Sequence, residues 1–430
     1  MTGPLYFDLT EALLSTSGKR TQYYGIARTV HEIGREAALL REDSRFVVFS
    51  FGMQQFYEVN WQKRQDGSAE FDLPKDVGQK WVRSFFGKNP ILPLIFRLLN
   101  LTTLKKNRAN WLQHAGQLKP VAIEHGTFFS AARPKLIVDM VRVLRERGSK
   151  AAIVPLLHDF MPLHNGATKR FRKLDRNFLV DNRFLIEQAS QILTNSNFTA
   201  KELKSFVQKG MLPEPRGPVD VVQLVHHCPH GTETSEISVP TEPYLLTVAL
   251  NLGRKNIEVV LEALRQMQAN GKPVPQLVIA GSHRKRLRRY ASRPAFRDIQ
   301  DKLIFIDNPN QTDLVKLYKR ALALVMPSKL EGWGLPAGEA LWCGTPAICS
   351  TAEALREVCG DLALYFEPDD ATHLAESIQR LMTDEEFRLN LRRRINLARP
   401  NLRTWETVAE DTLRTIVCFT SSTRIDRQSW

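Results

Sequence analysis

The sequence predicts an α/β protein made of two Rossmann-like parallel-sheet domains. Three observations carry the prediction. Strand-like and helix-like segments alternate, most regularly in the second half. The 430 residues exceed what one hydrophobic core holds in most folds, and at 43% apolar they can fill two. A polar, proline-rich stretch interrupts the alternation near the middle.

In the first half, "RFVVFSFG", "AAIVPLLHD" and "QILTNS" read as strands, and "IARTVHEIGREAALL" and "FTAKELKSFVQ" as helices. "MLPEPRGPVD" and "GTETSEISVPTEP" then mark a junction around residues 211–243. After it, "YLLTVAL" is a buried-strand pattern. "RKNIEVVLEALRQM" follows, with Ile257, Val260, Leu261, Leu264 and Met267 on one helical face. "PQLVIAG", "LIFID", "LALVMPS" and "PAICS" continue as strands, separated by the helical "QTDLVKLYKRA" and "PAGEALWCG". The expected domains are 1–235 and 236–400, with a final helical segment, 401–430, returning toward the first. Ligands of such sheets lie beyond the carboxyl ends of the strands, so a cleft between the domains is the expected site.

Composition narrows the classes. The formal charge is +14, which favours polyanions such as nucleic acid, an anionic membrane face or phosphorylated substrates. An ordinary solvated basic surface gives the same number. The five cysteines are scattered and form no C-x-x-C pair, which argues for a reducing compartment. The first twenty residues carry acids where a signal peptide is apolar, and no run reaches the ~20 apolar residues of a membrane span. A cytoplasmic protein is expected.

The most informative stretch is "PSKLEGWGLPAGEALWCGTPAICS", residues 327–350. Glu331 and Glu339 stand eight positions apart, with Gly332, Gly334 and Gly338 between them. The loop follows a strand, and a helix is expected from Pro336, a residue suited to a first turn because it needs no N–H there. Gly332 and Gly334 would let the backbone approach a ligand. The helix N-terminus offers N–H groups and a positive dipole end to a phosphate. The two carboxylates could then grip hydroxyls of one elongated ligand. Equally, Glu339 could complement the helix dipole and Glu331 be solvated.

This stretch resembles the E-x7-E signature of glycosyltransferase family 4. "NLGRKNIEVVLEAL" resembles that family's R-K-N segment, and "LVIAG", "LYKRALALVMPS", "ALREVCGDLALYFEPDD" and "TWETVAEDTL" follow its order. "YYGIARTV", "VPLLHDFMPL" and "ILTNSNFTAKEL" are weaker matches in the first half. The resemblance implies a GT-B fold, two Rossmann-like domains facing across a cleft. It also implies retaining transfer of a sugar from a nucleotide donor. Bacterial surface-polysaccharide assembly, with mannose or rhamnose and a GDP- or dTDP-linked donor, is the family-level analogy. A glycan or lipid-linked glycan is the acceptor it suggests.

By that resemblance Glu331 contacts the donor sugar and steadies positive charge at the anomeric carbon, and Glu339 accepts from the ribose hydroxyls. Lys255 and Arg254, read as opening a helix after a strand, would face the leaving diphosphate. Gly25 would bring a backbone N–H to it, and Gly334, Leu335 and Pro336 would form the adjoining helix start. His158 would contact the transferred sugar, with Asp159 and Arg28 toward the acceptor. Relatives often carry a further arginine before R-K-N, where this chain has "TVALNLG". No D-x-D occurs, which agrees with catalysis without a metal, and no cofactor is expected. "HHCPH" at 226–230 reads as a loop of surface histidines rather than a metal site. Residues 80–111 interleave bases with large apolar side chains. That suits a segment lying on anionic lipid, or a helical excursion packed on the first domain. "KRFRKLDR" and "HRKRLRRYASR" add basic faces. Nucleic-acid binding is the competing class, but no zinc finger, RNP motif or clear helix-turn-helix supports it.

Overall fold

The computed structural model describes residues 3–15, 25–75, 77, 79, 91–164, 172–228, 237–248, 252–281 and 285–421. Parts of several segments singled out above, 23–24, 80–90, 169–171, 229–236, 249–251 and 283–284, lie outside the described residues. The chain divides into two compact units, 1–223 with 405–430 and 224–404. The division falls inside the proline-rich 211–243 stretch.

The first unit holds strands β1 (Leu5–Asp8), β2 (Arg45–Ser50), β3 (Gln55–Val59), β4 (Trp61–Lys63), β5 (Ala69–Phe71), β6 (Lys119–Val121), β7 (Thr127–Ser130), β8 (Ala152–Leu157), β9 (Ile192–Thr194) and β10 (Val219–Val221). Its helices are α1 (Thr10–Leu14), α2 (Ile26–Leu40), α3 (Ile91–His114), α4 (Pro134–Glu146), α5 (Arg172–Gln188) and α6 (Asn197–Gln208). The main sheet runs β10–β9–β8–β7–β1–β2–β3–β6, and β4 and β5 pair apart from it. It is parallel from β10 to β2. The pairs β2–β3 and β3–β6 are antiparallel, so this sheet is not the wholly parallel one expected. The reason is local: four residues at 51–54, including Gln54 with φ 52°, turn the chain straight back into a hairpin, with no helix to cross over.

Near-continuous apolar strands fit this sheet. β7 is buried at every residue, and in β8 only Ala152 is not. α4 starts with Pro134 in its first turn and buries Leu136, Ile137, Met140, Val141 and Leu144 on one face. These side chains share a core with Phe49, Phe56 and Phe128, whose rings meet at tilted or edge-on angles.

The second unit has strands β11 (Tyr244–Val248), β12 (Gln276–Gly281), β13 (Leu303–Asp307), β14 (Ala323–Met326), β15 (Ala347–Ser350) and β16 (Ala363–Phe366). Its helices are α7 (Ile257–Ala269), α8 (Lys285–Ala291), α9 (Gln311–Arg320), α10 (Leu335–Trp342), α11 (Glu353–Cys359), α12 (Ala371–Thr383) and α13 (Glu385–Ala398). All pairs in the sheet β13–β12–β11–β14–β15–β16 are parallel. α9 is opened by a capping box: Asn310 accepts from Asp313 N at 2.8 Å, and Asp313 accepts from Asn310 N. The last helix, α14 (Trp405–Ser421), belongs to the first unit and packs on α2.

Candidate active site

In the second unit the sheet order reverses between β11 and β14. Adjacent parallel strands whose connections diverge leave a crevice at their carboxyl ends. β11 leads to the turn at 252–256, and β14 leads to the loop at 327–334. The two segments are stitched together. Lys329 N donates to Arg254 O at 2.9 Å, and Arg254 Nη1 donates to Leu330 O at 2.9 Å. Between them lies Glu331, only 7% exposed. Lys255 Nζ stands 2.6 Å from Glu331 Oε1, and Arg254 Nη1 stands 3.1 Å from the same oxygen. Burial pushes this carboxyl up, but Lys255 and then Arg254 outweigh it and hold the group below the usual carboxylate range. Glu331 is therefore ionised and doubly paired.

Arg254 and Lys255 do not open a helix. α7 begins at Ile257, and Asn256 before it is left-handed, φ 52°. Gly253 has φ 87°, and its N–H donates to Glu258 Oε1 at 3.0 Å. Asn256 Nδ2 donates to Pro368 O at 2.6 Å. Two positive φ values break the helical path here and lock the cations in a tight turn instead.

α10 starts at Leu335, one residue before the expected Pro336, with Gly334 as its N-cap at φ 110°. A Cβ on Gly334 would lie 2.5 Å from Leu355 Cδ2, so glycine is required by backbone and core packing. Trp333 is buried and anchors the loop by donating from Nε1 to Val225 O at 3.0 Å. Glu339 sits in the second turn of α10, 4% exposed, and its Oε2 accepts from Tyr318 Oη at 2.7 Å. Glu339 is not solvated at the helix end.

In the first unit the sheet order reverses between β1 and β7. Asp8 ends β1 and is buried. It accepts from Thr10 N at 2.9 Å, from Thr10 Oγ1 at 2.5 Å and from Ser130 Oγ at 2.6 Å. Burial outweighs those bonds and raises its carboxyl to about 6. Glu11 is fully buried and accepts from Arg133 Nε at 2.9 Å, Arg133 Nη2, and Arg133 N at 3.2 Å. The Arg133 side chain is 46% exposed. His158 follows β8 and is buried. Its Nε2 lies 2.6 Å from Ala131 O, a pure acceptor, so Nε2 carries the proton and Nδ1 is left as acceptor. Burial lowers its pKa, which keeps the ring neutral.

The other expected residues of this unit are held by their own neighbours. Gly25 caps α2 at φ 54°, and open space surrounds the position of its missing Cβ. Arg28 is buried on α2, with its guanidinium 5.9 Å from the Trp405 ring centroid. Asp159 Oδ1 accepts from Met161 N at 3.1 Å and closes a local turn.

Residues 233–397 match the family model described as glycosyl transferases group 1. The match is confined to the second unit and its borders, under half of the chain. Arg254, Lys255, Glu331, Tyr318 and Glu339 all lie within it. The serotype-specific mannosyltransferase WbdA of Escherichia coli is 26% identical over 243 residues, which are 54% of this chain and 29% of that protein. The O-antigen chain mannosyltransferase B of Escherichia coli is 37% identical over 101 residues, 24% of this chain and 26% of that protein. The chain thus matches under a third of the length of either relative. Among solved structures, sucrose-phosphate synthase from Thermosynechococcus elongatus aligns with a TM-score of 0.65 at 16% identity, covering 98% of this chain and 100% of that one. Anabaena Alr3699/HepE in complex with UDP and glucose aligns with a TM-score of 0.58 at 13% identity, covering 96% and 100%. The fold is the GT-B fold that the sequence resemblance implied.

The second unit also corrects one reading of the sequence. His226 is not on a surface loop. It is buried, with Nε2 2.8 Å from Val358 O and Nδ1 accepting from Arg403 N at 3.2 Å. His227 stacks edge-on with Trp342, and Cys228 is buried. Asp8, Glu11, Arg133 and Tyr318 were not anticipated. "LYFDLTEALL" held a local hint, a three-residue apolar run followed by Asp-x-Thr. Tyr318 had none, since a tyrosine on an apolar helix face reads as core.

Proposed function

We propose that the protein is a retaining, metal-independent glycosyltransferase. It moves a hexose, with mannose or rhamnose favoured, from a GDP- or dTDP-linked donor to a glycan or lipid-linked glycan. The observation that carries this is the Lys255–Glu331–Arg254 cluster at the reversal point of the second unit, which matches the group 1 family model. The bond from the anomeric carbon to the diphosphate oxygen breaks, and a bond to the acceptor oxygen forms on the same face. The acceptor's proton passes to the departing phosphate oxygen. Negative charge grows on that diphosphate, and Lys255 and Arg254, already fixed in place, need little reorganisation to meet it. Glu331 holds both cations and stays ionised near the carbon that becomes positive. Neutral His158, with Nδ1 as acceptor, suits a sugar hydroxyl. The mannosyltransferase relatives support the hexose class, and the absence of D-x-D supports catalysis without a metal. Calorimetric titration with GDP, UDP, dTDP and ADP, without metal, tests the reading. One nucleotide binds, and Glu339→Ala abolishes the binding. No binding by any of the four removes the proposal.

An anionic membrane surface belongs to the same reading. No Asp or Glu stands between Asp76 and Glu124, while lysines and arginines recur throughout. α3 falls within this stretch. It buries Asn107 and Trp111, and exposes Leu98, Leu101 and Leu112 together with Lys105 and Arg108. Their 3–4 spacing puts these five on one stripe, apolar and cationic, with no carboxylate to repel a phospholipid headgroup. Among the described residues no helix is long and apolar enough to cross a membrane. Co-sedimentation with anionic and with neutral liposomes is the check. Binding to anionic vesicles is expected at low salt, weakened by Lys105→Glu with Arg108→Glu and by Leu98→Ser with Leu101→Ser. Failure to bind anionic vesicles at low salt, with tight binding to duplex DNA instead, would assign the charge to nucleic acid.

A further inference from the structure

At the amino ends of β11 and β14, the far end of the sheet from Glu331, the second unit has a cleft of about 520 Å³. Three arginines line it. Arg320 comes from the last turn of α9, and Arg388 and Arg392 lie four apart on one face of α13. Among the described lining residues Glu242, just before β11, is the one acid, and Leu322 and Met382 are apolar.

Two of these arginines hold backbone carbonyls. Arg392 Nη2 donates to Ala321 O at 2.8 Å, and its Nη1 lies 3.4 Å from Gly344 O. Arg388 Nη1 donates to Leu381 O at 2.8 Å, and its Nη2 lies 3.5 Å from Glu385 Oε1. These bonds tie α13 to the ends of α9, α10 and α12, and they fix both guanidinium groups. They do not cancel the charge. A guanidinium has five N–H donors, and Arg392 uses two of them here. Among the described residues Arg392 has no carboxylate partner, and the Arg320 side chain has neither a hydrogen bond nor an ion pair. Burial first, and the charge of Arg388 second, draw Arg392 below the ordinary arginine range.

Like charges four apart on a helix repel each other. A bound anion would offset that repulsion and meet the unused donors. Guanidinium forks match pairs of phosphate oxygens. The volume is that of a small-molecule site rather than of a single ion, and Leu322 and Met382 can cover a carbon skeleton.

We propose that this cleft binds a small phosphomonoester of sugar-phosphate size, with its phosphate held by Arg320, Arg388 and Arg392. The site is separate from the donor site proposed above and does not rest on it.

The test is calorimetry on the full chain with ribose 5-phosphate, inorganic phosphate and ribose. Wild type should bind ribose 5-phosphate more tightly than inorganic phosphate, and ribose not measurably. Arg320→Gln changes an exposed side chain without a partner, so the fold should persist, and it should weaken ribose 5-phosphate by about tenfold. Glu242→Gln removes the acid from the lining and should tighten binding about threefold, a gain that misfolding cannot imitate. Lys255→Ala, at the other end of the sheet, should change nothing. Binding that Arg320→Gln leaves unchanged would overturn the proposal, and its loss in Lys255→Ala would then put the phosphate at the donor cluster. Ribose binding as tightly as its phosphate, or no binding of either phosphate by wild type, would overturn it as well. Failure of every nucleoside diphosphate to bind would bring down the donor site and leave this one standing.

Discussion

Each unit gathers polar side chains where its sheet order reverses, but the two treat charge in opposite ways. In the second unit Glu331 is drawn below its ordinary range by Lys255 and Arg254, so three charges stand within hydrogen-bond reach. In the first unit burial dominates. Asp8 is pushed up to about 6, and His158 is kept neutral. Glu11 and Arg133 form an ion pair there. The same position in two related sheets thus yields one site of fixed ions and one in which burial opposes charge on Asp8 and His158. Fixed ions suit a diphosphate, whose charge must be met without reorganisation. A neutral imidazole such as His158 suits a sugar hydroxyl, which carries no charge to repay the burial of an ion.

The sharpest way to break this contrast is to remove an ion from the second unit. Lys255→Ala and Glu331→Ala should each lower turnover by about a thousandfold or more, while circular dichroism stays native. Near wild-type turnover in either variant would refute the catalytic assignment. Stability should respond unequally. Lys255→Met leaves buried Glu331 with Arg254 alone and should cost about 3 kcal/mol in urea unfolding. Replacing both residues by apolar ones should cost less than the sum of the singles, because no carboxylate is then stranded. Additive losses would mean that the pair is not coupled in solution.

The same contrast explains what could be read from the chain. The second unit's site is legible because its residues lie in two short segments, 253–256 and 331–339, each punctuated by glycine. The register of α2, β12, β13 and α9 was also plain, since period 2 and period 3.6 patterns are strong there. What was hidden depends on long-range pairing. Glu11 and Arg133 are 122 residues apart, and nothing near either announces the other. Arg254 and Lys255 were placed in a helix because R-K-N-I-E reads as one. The left-handed Asn256 that ends the loop is stabilised by Pro368, far along the chain. The antiparallel edge of the first sheet was missed because β3 and β6 are short and only partly apolar, a weak signal for any strand. His226 was assigned to the surface from polarity alone, whereas its buried partners come from Val358 and Arg403.

The smallest expected effect isolates the first unit and turns on proton balance. Asp8 has a folded pKa of about 6 against an ordinary 3.8. Between those values the folded state holds a proton that the unfolded chain has released, so stability rises as pH falls through about 6 toward 4. The full contribution is about 3 kcal/mol at ~1.4 kcal/mol per unit. His158 works in the opposite sense. Its folded pKa is lowered, so below its ordinary 6.5 the unfolded chain binds a proton that the folded state refuses, and acid destabilises. The two act in opposite directions on a single stability–pH curve. Asp8→Asn separates them. Asparagine can still accept from Thr10 and can donate toward Ser130, so the fold should persist. Asp181, which burial also raises to about 6, is present in both proteins and cancels in their difference. Urea midpoints measured from pH 7.5 to 5 should therefore show wild type gaining on Asp8→Asn by about 1.4 kcal/mol as pH falls, whatever the offset at pH 7.5. With the aspartate gone, the acid-side loss from His158 should stand exposed, and adding His158→Gln should flatten it. A gap between wild type and Asp8→Asn that does not change with pH would mean that Asp8 titrates as an ordinary carboxylate. The first unit would then carry the same kind of ionised site as the second, and the contrast between them would fail.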